Sequence, residues 1–237
     1  ICNFPTEMDI NGFDLMQKMQ NNAIHLGAEI LSMERISKIE KEGEIFKLET
    51  ESKKIFQAKT ILLATGTKHK NLNVENEHKY LGRGLAYCAT CDAMFFKDKV
   101  VAVVGGGNSA LTAALYLAEV AQKVYLLVRG EGFNGEISWI DQVNKNEKIE
   151  VLFKTQVKEL KGETKLAEID LDKNGEISSL QLDGLFVEIG TDPDNFLSDQ
   201  LGVDKNEKKF LKVDQAQKTS VSGVWAAGDL TTNSNYF

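Results

Sequence analysis

The sequence has few of the residues that build disulfide frameworks or metal centres: three cysteines, two prolines and three histidines among 237 residues. A small, odd number of cysteines is unsuited to a fold held together by disulfides. A structural zinc site needs about four ligands, whereas this chain has one Cys-x-x-Cys pair and its histidines, His25, His69 and His78, lack ligand spacing. Zinc is therefore disfavoured, and no metal is predicted.

Long apolar runs and an excess of positive charge are also missing. No run approaches the roughly 18 apolar residues of a membrane-spanning helix, and residues 1–5 contain neither a basic leader nor an apolar signal core. The formal net charge of -7 opposes binding to nucleic acid and to anionic membrane surfaces. These absences predict a cytoplasmic globular protein with no nucleic-acid or membrane partner. Because residue 1 is not Met, we expect the natural N-terminus to lie outside this chain.

The chain does contain a Cys-x-x-Cys pair, formed by Cys88 and Cys91. Two cysteines at this spacing can alternate between dithiol and disulfide, with a thiolate as the attacking species. Asp92 follows directly and has two interpretations: a proton shuttle for the thiolate formed on reduction, or a helix cap. Hydride carries two electrons at once, and a flavin is the usual adaptor between nicotinamide and disulfide. The pair therefore predicts a redox site served by a flavin.

A glycine-rich turn over residues 105–110 follows a strand predicted at residues 99–104 and opens a helix predicted over residues 108–120. Glycines let the backbone approach phosphate, and the free N–H groups at a helix start favour a pyrophosphate. With a further strand at 123–128, the segment forms the strand–turn–helix–strand unit of a dinucleotide site. A tight turn without a ligand is the alternative. The residues predicted to bind the dinucleotide are Gly105, Gly107, Asn108, Ser109 and Ala110.

A literal Gly-x-Gly-x-x-Gly also occurs, at Gly130, Gly132 and Gly135. We interpret it as a loop, because it follows the second strand of the unit and contains Glu131, whose carboxylate opposes phosphate. Side chains at the end of that strand normally contact the adenosine ribose. An acidic side chain there favours the free 2′-hydroxyl of NADH, and arginines favour the 2′-phosphate of NADPH. Arg129 is the single arginine there, so both NADPH and NADH remain candidates for the bound nucleotide.

The remaining pattern predicts a helix capped by Asn11, a linker or hinge at residues 68–83, and many short strands. The predicted strands are residues 28–31, 35–40, 45–50, 54–58, 60–66, 150–153, 165–171, 177–182, 185–190 and 223–229, with a further helix at 138–145. Apolar strands that run into glycine recur, which indicates two nucleotide-binding lobes of the α/β class.

Four motifs together resemble the bacterial-type, low-molecular-weight thioredoxin reductases. They are Cys-Ala-Thr-Cys-Asp at 88–92, Gly-Gly-Gly-Asn-Ser-Ala at 105–110, Ala-Thr-Gly at 64–66 and Gly-Val-Trp-Ala-Ala-Gly-Asp at 223–229. The resemblance implies a thioredoxin-disulfide reductase that passes electrons from NAD(P)H through FAD to the Cys88–Cys91 disulfide and then to thioredoxin. It also implies two Rossmann-like domains in three layers. The implied FAD domain comprises residues 1–69 and 192–237, and the NAD(P) domain comprises residues 70–191.

By the same resemblance, Cys91 faces the flavin, Cys88 attacks thioredoxin and Asp92 is the acid. The residues that it places around FAD are Thr65, Gly66, Gly228 and Asp229. It further implies a homodimer, and an NAD(P) domain that rotates on hinge strands near residues 68–73 and 190–194.

The chain departs from this family at the flavin site. A flavin domain of this kind needs a glycine-rich turn near its N-terminus, but the first sixty residues contain only Gly12, Gly27 and Gly43, in no such pattern. The sequence looks trimmed at both ends, and we expect the chain alone to hold FAD poorly. Two alternatives therefore stand beside thioredoxin reduction: the reductase component of an alkyl hydroperoxide reductase-type system, and a truncated nucleotide-binding module without turnover.

Overall fold

The computed structural model describes residues 4–232. The helices are α1 (Gly12–His25), α2 (Glu77–Tyr80), α3 (Ala89–Asp92), α4 (Asn108–Val120), α5 (Ile137–Lys145) and α6 (Phe196–Gln200). The strands are β1 (Ile36–Glu42), β2 (Ile45–Thr50), β3 (Ile55–Ala58), β4 (Ile61–Leu63), β5 (Thr67–His69), β6 (Leu85–Ala86), β7 (Val100–Val104), β8 (Lys123–Val128), β9 (Ile149–Phe153), β10 (Thr155–Lys161), β11 (Glu168–Lys173), β12 (Glu176–Gln181), β13 (Gly184–Val187), β14 (Thr191–Pro193) and β15 (Val224–Ala226). Two 3₁₀ turns span Ala93–Phe96 and Gly228–Leu230.

The described residues divide into two compact units. The first unit comprises residues 4–63, 195–204 and 212–227, and the second comprises residues 64–194, 205–211 and 228–232. The Cys-x-x-Cys pair and the glycine turn of residues 105–110 both belong to the second unit. Among residues 4–232, none of the helices combines the length and the apolar character needed to cross a bilayer.

A five-stranded parallel sheet, in the order β6-β13-β7-β8-β9, lies at the centre of the second unit. Its middle strand, β7, pairs with β13 on one side and with β8 on the other. A strand that is covered on both faces needs apolar side chains at every position. The sequence of β7 meets this need, since Val101, Ala102 and Val103 are fully buried.

The two faces of this sheet pack against different layers, so the second unit has three layers. Val101 and Val103 lie in one hydrophobic cluster with the buried side of α4, which includes Leu111. Ala102, on the opposite face, belongs to a second cluster with Ile169 of the antiparallel sheet β10-β11-β12. The alternation of side chains along one strand therefore builds both cores.

The segments predicted as hinge strands pair with each other. β5 and β14 form a two-stranded antiparallel ribbon in which His69 lies opposite Thr191. Two contacts with Asp194 fasten the end of this ribbon. The Thr65 hydroxyl donates to the Asp194 carbonyl at 2.9 Å, and Lys68 Nζ forms an ion pair with Asp194 Oδ2 at 3.0 Å. The polar stretch at 68–83 thus carries regular structure, including α2, and is more than a linker.

The first unit contains α1, the antiparallel sheet β1-β2-β3 and the parallel pair β4 and β15. Asn11 caps α1, as predicted, because its side-chain oxygen accepts the Asp14 N–H at 2.9 Å. Phe46 of β2 is fully buried. Leu63 lies opposite Ala226, so β4 and β15 end at the same edge.

Most predicted elements are present within a few residues of their expected bounds, and residues 28–31 are the clear exception. Residues 28–31 were predicted as a strand, but they adopt no regular structure, and Ile30 and Leu31 are exposed. β10 was not predicted, because Val157 and Leu160 are its only apolar residues. Its strand character depends on pairing with β11, which lies later in the chain.

Candidate redox and nucleotide site

Cys88 and Cys91 form a disulfide, with their Cα atoms 5.3 Å apart. Cys88 directly precedes α3, whose single turn brings the two sulfurs together. The Cys91 N–H donates to Cys88 Sγ at 3.2 Å, and the Thr90 hydroxyl lies 3.4 Å from the same sulfur. Donors at a sulfur stabilise its thiolate. When the disulfide opens, this local structure favours the negative charge on Cys88.

Asp92 ends α3, and its backbone N–H donates to the Cys88 carbonyl at 3.2 Å. It also stands at the start of the 3₁₀ turn Ala93–Phe96, but within the described chain its side chain makes no capping hydrogen bond there. The helix-cap interpretation therefore gains no support from the geometry. A proton-transfer role for Asp92 stays a prediction.

The glycine turn contains two glycines in opposite situations. Gly105 has a φ of +146°, and a Cβ on it would lie 2.2 Å from the Glu188 carbonyl oxygen and 2.7 Å from Ala110 Cβ. Gly107 has an ordinary φ of -96° and precedes α4, and a Cβ on it would meet none of the described atoms within 4 Å. The fold itself therefore requires Gly105, whereas the space beside Gly107 is open to a ligand.

A cavity of about 970 Å³ lies over this turn. Its wall includes Ser109 at the start of α4, Arg129 after β8, and Lys68 and Lys70 of the ribbon segment. N–H groups at the start of a helix, together with cationic side chains, suit a pyrophosphate, and the volume suits a dinucleotide. These residues fit NAD(P)H.

Asn108, which the sequence predicts at the dinucleotide, lines the cavity and also bonds Glu136. Its Oδ1 accepts the Glu136 N–H at 2.7 Å, and its Nδ2 donates to Glu136 Oε1 at 3.2 Å. The loop at 130–135 thus packs against the start of α4, and its Asn134 N–H donates to the Gly106 carbonyl at 2.8 Å. The literal Gly-x-Gly-x-x-Gly lies in a loop, as interpreted from the sequence, and this loop contributes Gly130 and Asn134 to the cavity wall.

A second cavity, of about 580 Å³, lies beside the disulfide, and its wall includes Cys88 and Trp139. Three residues line both cavities: His69, Ser109 and Glu188. Both sites also rest on one hydrophobic cluster. It contains Ala89 and Ala93 of residues 88–96, which we call the redox segment, together with Ala110 and Leu111 of α4. The second unit therefore places a disulfide and a nucleotide-sized cavity side by side.

Sequence reasoning missed Glu77, a buried carboxylate with 4% of its surface exposed. It accepts the N–H groups of Leu72 and Asn73, at 2.9 and 3.0 Å, and it also accepts the Tyr87 hydroxyl. Burial and this bond raise the pKa of Tyr87, so the phenol remains a neutral donor. Leu72 and Asn73 line the nucleotide cavity and Tyr87 precedes Cys88. Glu77 therefore connects the two sites. A single acidic residue in a polar stretch of sequence does not by itself indicate such a role.

Glu77→Ala is expected to lower the free energy of unfolding by about 3 kcal/mol, because the donors of three partly buried hydrogen bonds lose their acceptor. Tyr87→Phe removes one of those donors and is expected to cost about 1 kcal/mol. Urea unfolding of both variants measures the difference. Equal losses would show that Glu77 contributes no more than its bond to Tyr87.

The residues predicted around FAD follow the ends of β4 and β15. Thr65 and Gly66 come after β4, and the Asp194 N–H donates to the Gly66 carbonyl at 3.0 Å. Gly228, with a φ of +73°, and the exposed Asp229 come after β15. Both segments therefore leave the carboxyl ends of neighbouring parallel strands, where open α/β sheets bind ligands.

The phosphate part of a flavin site has no counterpart in this range. Between residues 4 and 232, the one strand–glycine turn–helix unit is that of residues 100–120, which fits the nicotinamide nucleotide. The described residues therefore do not fit the pyrophosphate of FAD.

Comparison with known proteins defines the class. The family model described as "Pyridine nucleotide-disulphide oxidoreductase" matches residues 6–236. The chain belongs to this family.

Several similar proteins within that class are named thioredoxin reductases. That of Helicobacter pylori is 35% identical, over 97% of this chain and 76% of its own length, and that of Streptomyces coelicolor is 35% identical, over 96% and 71%. The crystal structure of Lactococcus lactis thioredoxin reductase in its FR conformation matches with a TM-score of 0.89 and 31% identity, covering 99% of this chain and 78% of that one.

These matches confirm several predictions from the sequence: the resemblance to thioredoxin reductases, the α/β fold with two Rossmann-like nucleotide-binding domains, and the class of NAD(P)H-dependent flavoprotein disulfide reductase. The predicted cofactors, FAD and a nicotinamide nucleotide, agree with that class. The domain bounds and the roles of individual site residues stay predictions.

Proposed function

We propose that this chain is a thioredoxin-disulfide reductase in which the second unit binds NADPH or NADH and presents the Cys88–Cys91 disulfide. The observation that carries the proposal is the shared wall of the two cavities, formed by His69, Ser109 and Glu188. The names of the similar proteins support thioredoxin as the substrate.

Reduction breaks the Cys88–Cys91 bond with two electrons and gives one thiolate and, after uptake of a proton, one thiol. FAD held beside Thr65, Gly66, Gly228 and Asp229 would supply a two-electron link between nicotinamide and disulfide. The Cys91 N–H and the Thr90 hydroxyl are placed to stabilise a thiolate on Cys88 Sγ. Asp92, next to Cys91, is the proposed source of the proton.

The Cys88 thiolate then attacks the disulfide of thioredoxin and forms a mixed disulfide. The Cys91 sulfur, once deprotonated, attacks Cys88 Sγ, which restores the internal disulfide and releases thioredoxin as a dithiol. One disulfide is formed for each one broken, and the two electrons pass to the partner.

The proposal keeps residues 70–191 as the NAD(P) domain and residues 1–69 with 192–237 as the FAD domain. A cytoplasmic homodimer without nucleic-acid or membrane partners belongs to the same proposal, supported by the resemblance and by the net charge of -7. The residues assigned to the nicotinamide nucleotide are Gly105, Gly107, Asn108, Ser109, Ala110 and Arg129, and those assigned to FAD are Thr65, Gly66, Gly228 and Asp229.

Two measurements on the full chain test this function. Calorimetry with NADPH and with NADH is expected to show binding of at least one of them. With FAD added, oxidation of the bound nucleotide is expected to depend on thioredoxin. Nucleotide binding without oxidation would instead identify a nucleotide-binding module. Oxidation that requires a disulfide protein of the peroxide-scavenging type, and not thioredoxin, would identify the other reductase.

A further inference from the structure

Glu188 joins the glycine turn to the redox segment. It directly follows β13, and its N–H donates to the Val104 carbonyl at 2.9 Å. Its own carbonyl oxygen packs against Gly105, 2.2 Å from the position of the missing Cβ, and its carboxylate accepts the Ala89 N–H. Of the described residues that line both cavities, it is the acidic one.

This position is unfavourable for a negative charge. Partial burial raises the pKa of Glu188 from 4.5 to about 7, although the bond from Ala89 acts in the opposite direction. A pyrophosphate at the turn would bring two further negative charges into a cavity that Glu188 lines. Like charges disfavour ionisation of a carboxyl group. An occupied turn and a protonated Glu188 therefore favour each other.

We propose that Glu188 takes up a proton when a nucleotide pyrophosphate binds at the glycine turn, and releases it when the nucleotide leaves. The proposal rests on the nucleotide site proposed above. Neutral Glu188 also removes a negative charge beside Ala89, the neighbour of Cys88, and so favours a thiolate there. Glu188 is thus a positioning residue that couples nucleotide occupancy to the charge on the redox pair.

Other titratable or charged groups face the same two cavities, and the test has to separate them. They are Lys68, His69, Lys70 and Asp192 in or beside β5 and β14, Arg129 after β8, Tyr116 and Glu119 on α4, and Tyr87 before Cys88. His69 is the principal rival, because it lines both cavities and could itself bind a proton when an anion enters.

ADP-ribose is a suitable probe, because it carries the pyrophosphate but neither nicotinamide nor a 2′-phosphate that titrates near neutrality. Calorimetry of the full chain at pH 7, in two buffers of different ionisation enthalpy, gives the protons taken up per ligand bound. We expect uptake of about 0.4 proton, since a half-ionised carboxyl becomes largely protonated if the phosphates raise its pKa by about one unit. Uptake is expected to peak between about pH 7 and 8, and affinity to fall as the pH rises further.

Glu188→Gln keeps an acceptor for the Ala89 N–H and is expected to bind ADP-ribose with uptake near zero and with affinity that no longer falls above pH 7. His69→Gln and Glu119→Gln are the controls and are expected to keep the uptake of the wild type. Full uptake in Glu188→Gln, or loss of uptake in His69→Gln alone, would overturn the proposal.

The wild type alone supplies a further check that needs no variant. Binding of ADP-ribose with no proton uptake at any pH would overturn the role of Glu188 while leaving the nucleotide site intact. If neither ADP-ribose nor NADH nor NADPH binds, the proposed function fails together with the inference.

Discussion

Cys88→Ser is expected to lower the rate at which the chemically reduced chain reduces thioredoxin by at least about 10³-fold. The serine hydroxyl cannot form the mixed disulfide, and it is a far weaker nucleophile than the thiolate that the Cys91 N–H and the Thr90 hydroxyl are placed to stabilise. The measurement is the rate at which the reduced chain converts excess oxidised thioredoxin to its dithiol form. Cys2→Ser changes the remaining cysteine of the sequence and is the matched control, expected to keep full activity.

A single-turnover experiment tests the same assignment without any flavin. The chain is reduced chemically, in a Cys2→Ser background, and mixed with an aromatic disulfide. The intact pair is expected to release two thiols and close its own disulfide, whereas Cys91→Ser releases one thiol and keeps an adduct on Cys88. Cys88→Ser leaves Cys91 to react, at a rate at least about tenfold lower. A faster reaction of Cys91 than of Cys88 would reverse the assigned roles.

Gly105→Ala is expected to destabilise the second unit by about 3 kcal/mol or more. The added Cβ would lie 2.2 Å from the Glu188 carbonyl oxygen, a backbone atom that cannot move alone, and the φ of +146° is strained for any residue with a side chain. Urea unfolding measures the loss. A variant as stable as the wild type would show that this contact is more easily relieved than the geometry indicates.

Gly107→Ala separates the nucleotide site from the requirements of the fold. Its φ of -96° suits alanine and the space beside it is open, so the free energy of unfolding is expected to change by less than about 1 kcal/mol. The new methyl group would occupy the space through which a pyrophosphate approaches the backbone. We expect the Kd for the nicotinamide nucleotide to rise at least about tenfold, measured by calorimetry. Unchanged affinity would remove this glycine from the nucleotide site.

The nucleotide-binding unit could be predicted from sequence because its signals are local. β7 is an unbroken apolar run since both of its faces are buried, and Gly105 follows it because the backbone there has a positive φ and touches Glu188. The helix after the turn, α4, has the predicted bounds. In each case the residues that form the recognisable pattern are within a few positions of the residues whose structure requires it.

The rest of the site depends on contacts between distant parts of the chain, which leave no local pattern. Glu188 stands at the end of an apolar strand, and nothing in that strand indicates that its carboxylate meets Ala89. Glu77 is one acid among many polar residues until Tyr87 and the N–H groups of Leu72 and Asn73 surround it. Asn108 likewise bonds Glu136, 28 residues further along the chain, and no local pattern indicates that contact.

The segment that carries the sulfurs and the helix that begins the phosphate turn share a single hydrophobic cluster, through Ala89 and Ala93 on one side and Ala110 and Leu111 on the other. The distance between the disulfide and the glycine turn is therefore fixed by the packing of these side chains. Any motion that changes the spacing of the disulfide and the glycine turn would therefore have to repack this cluster.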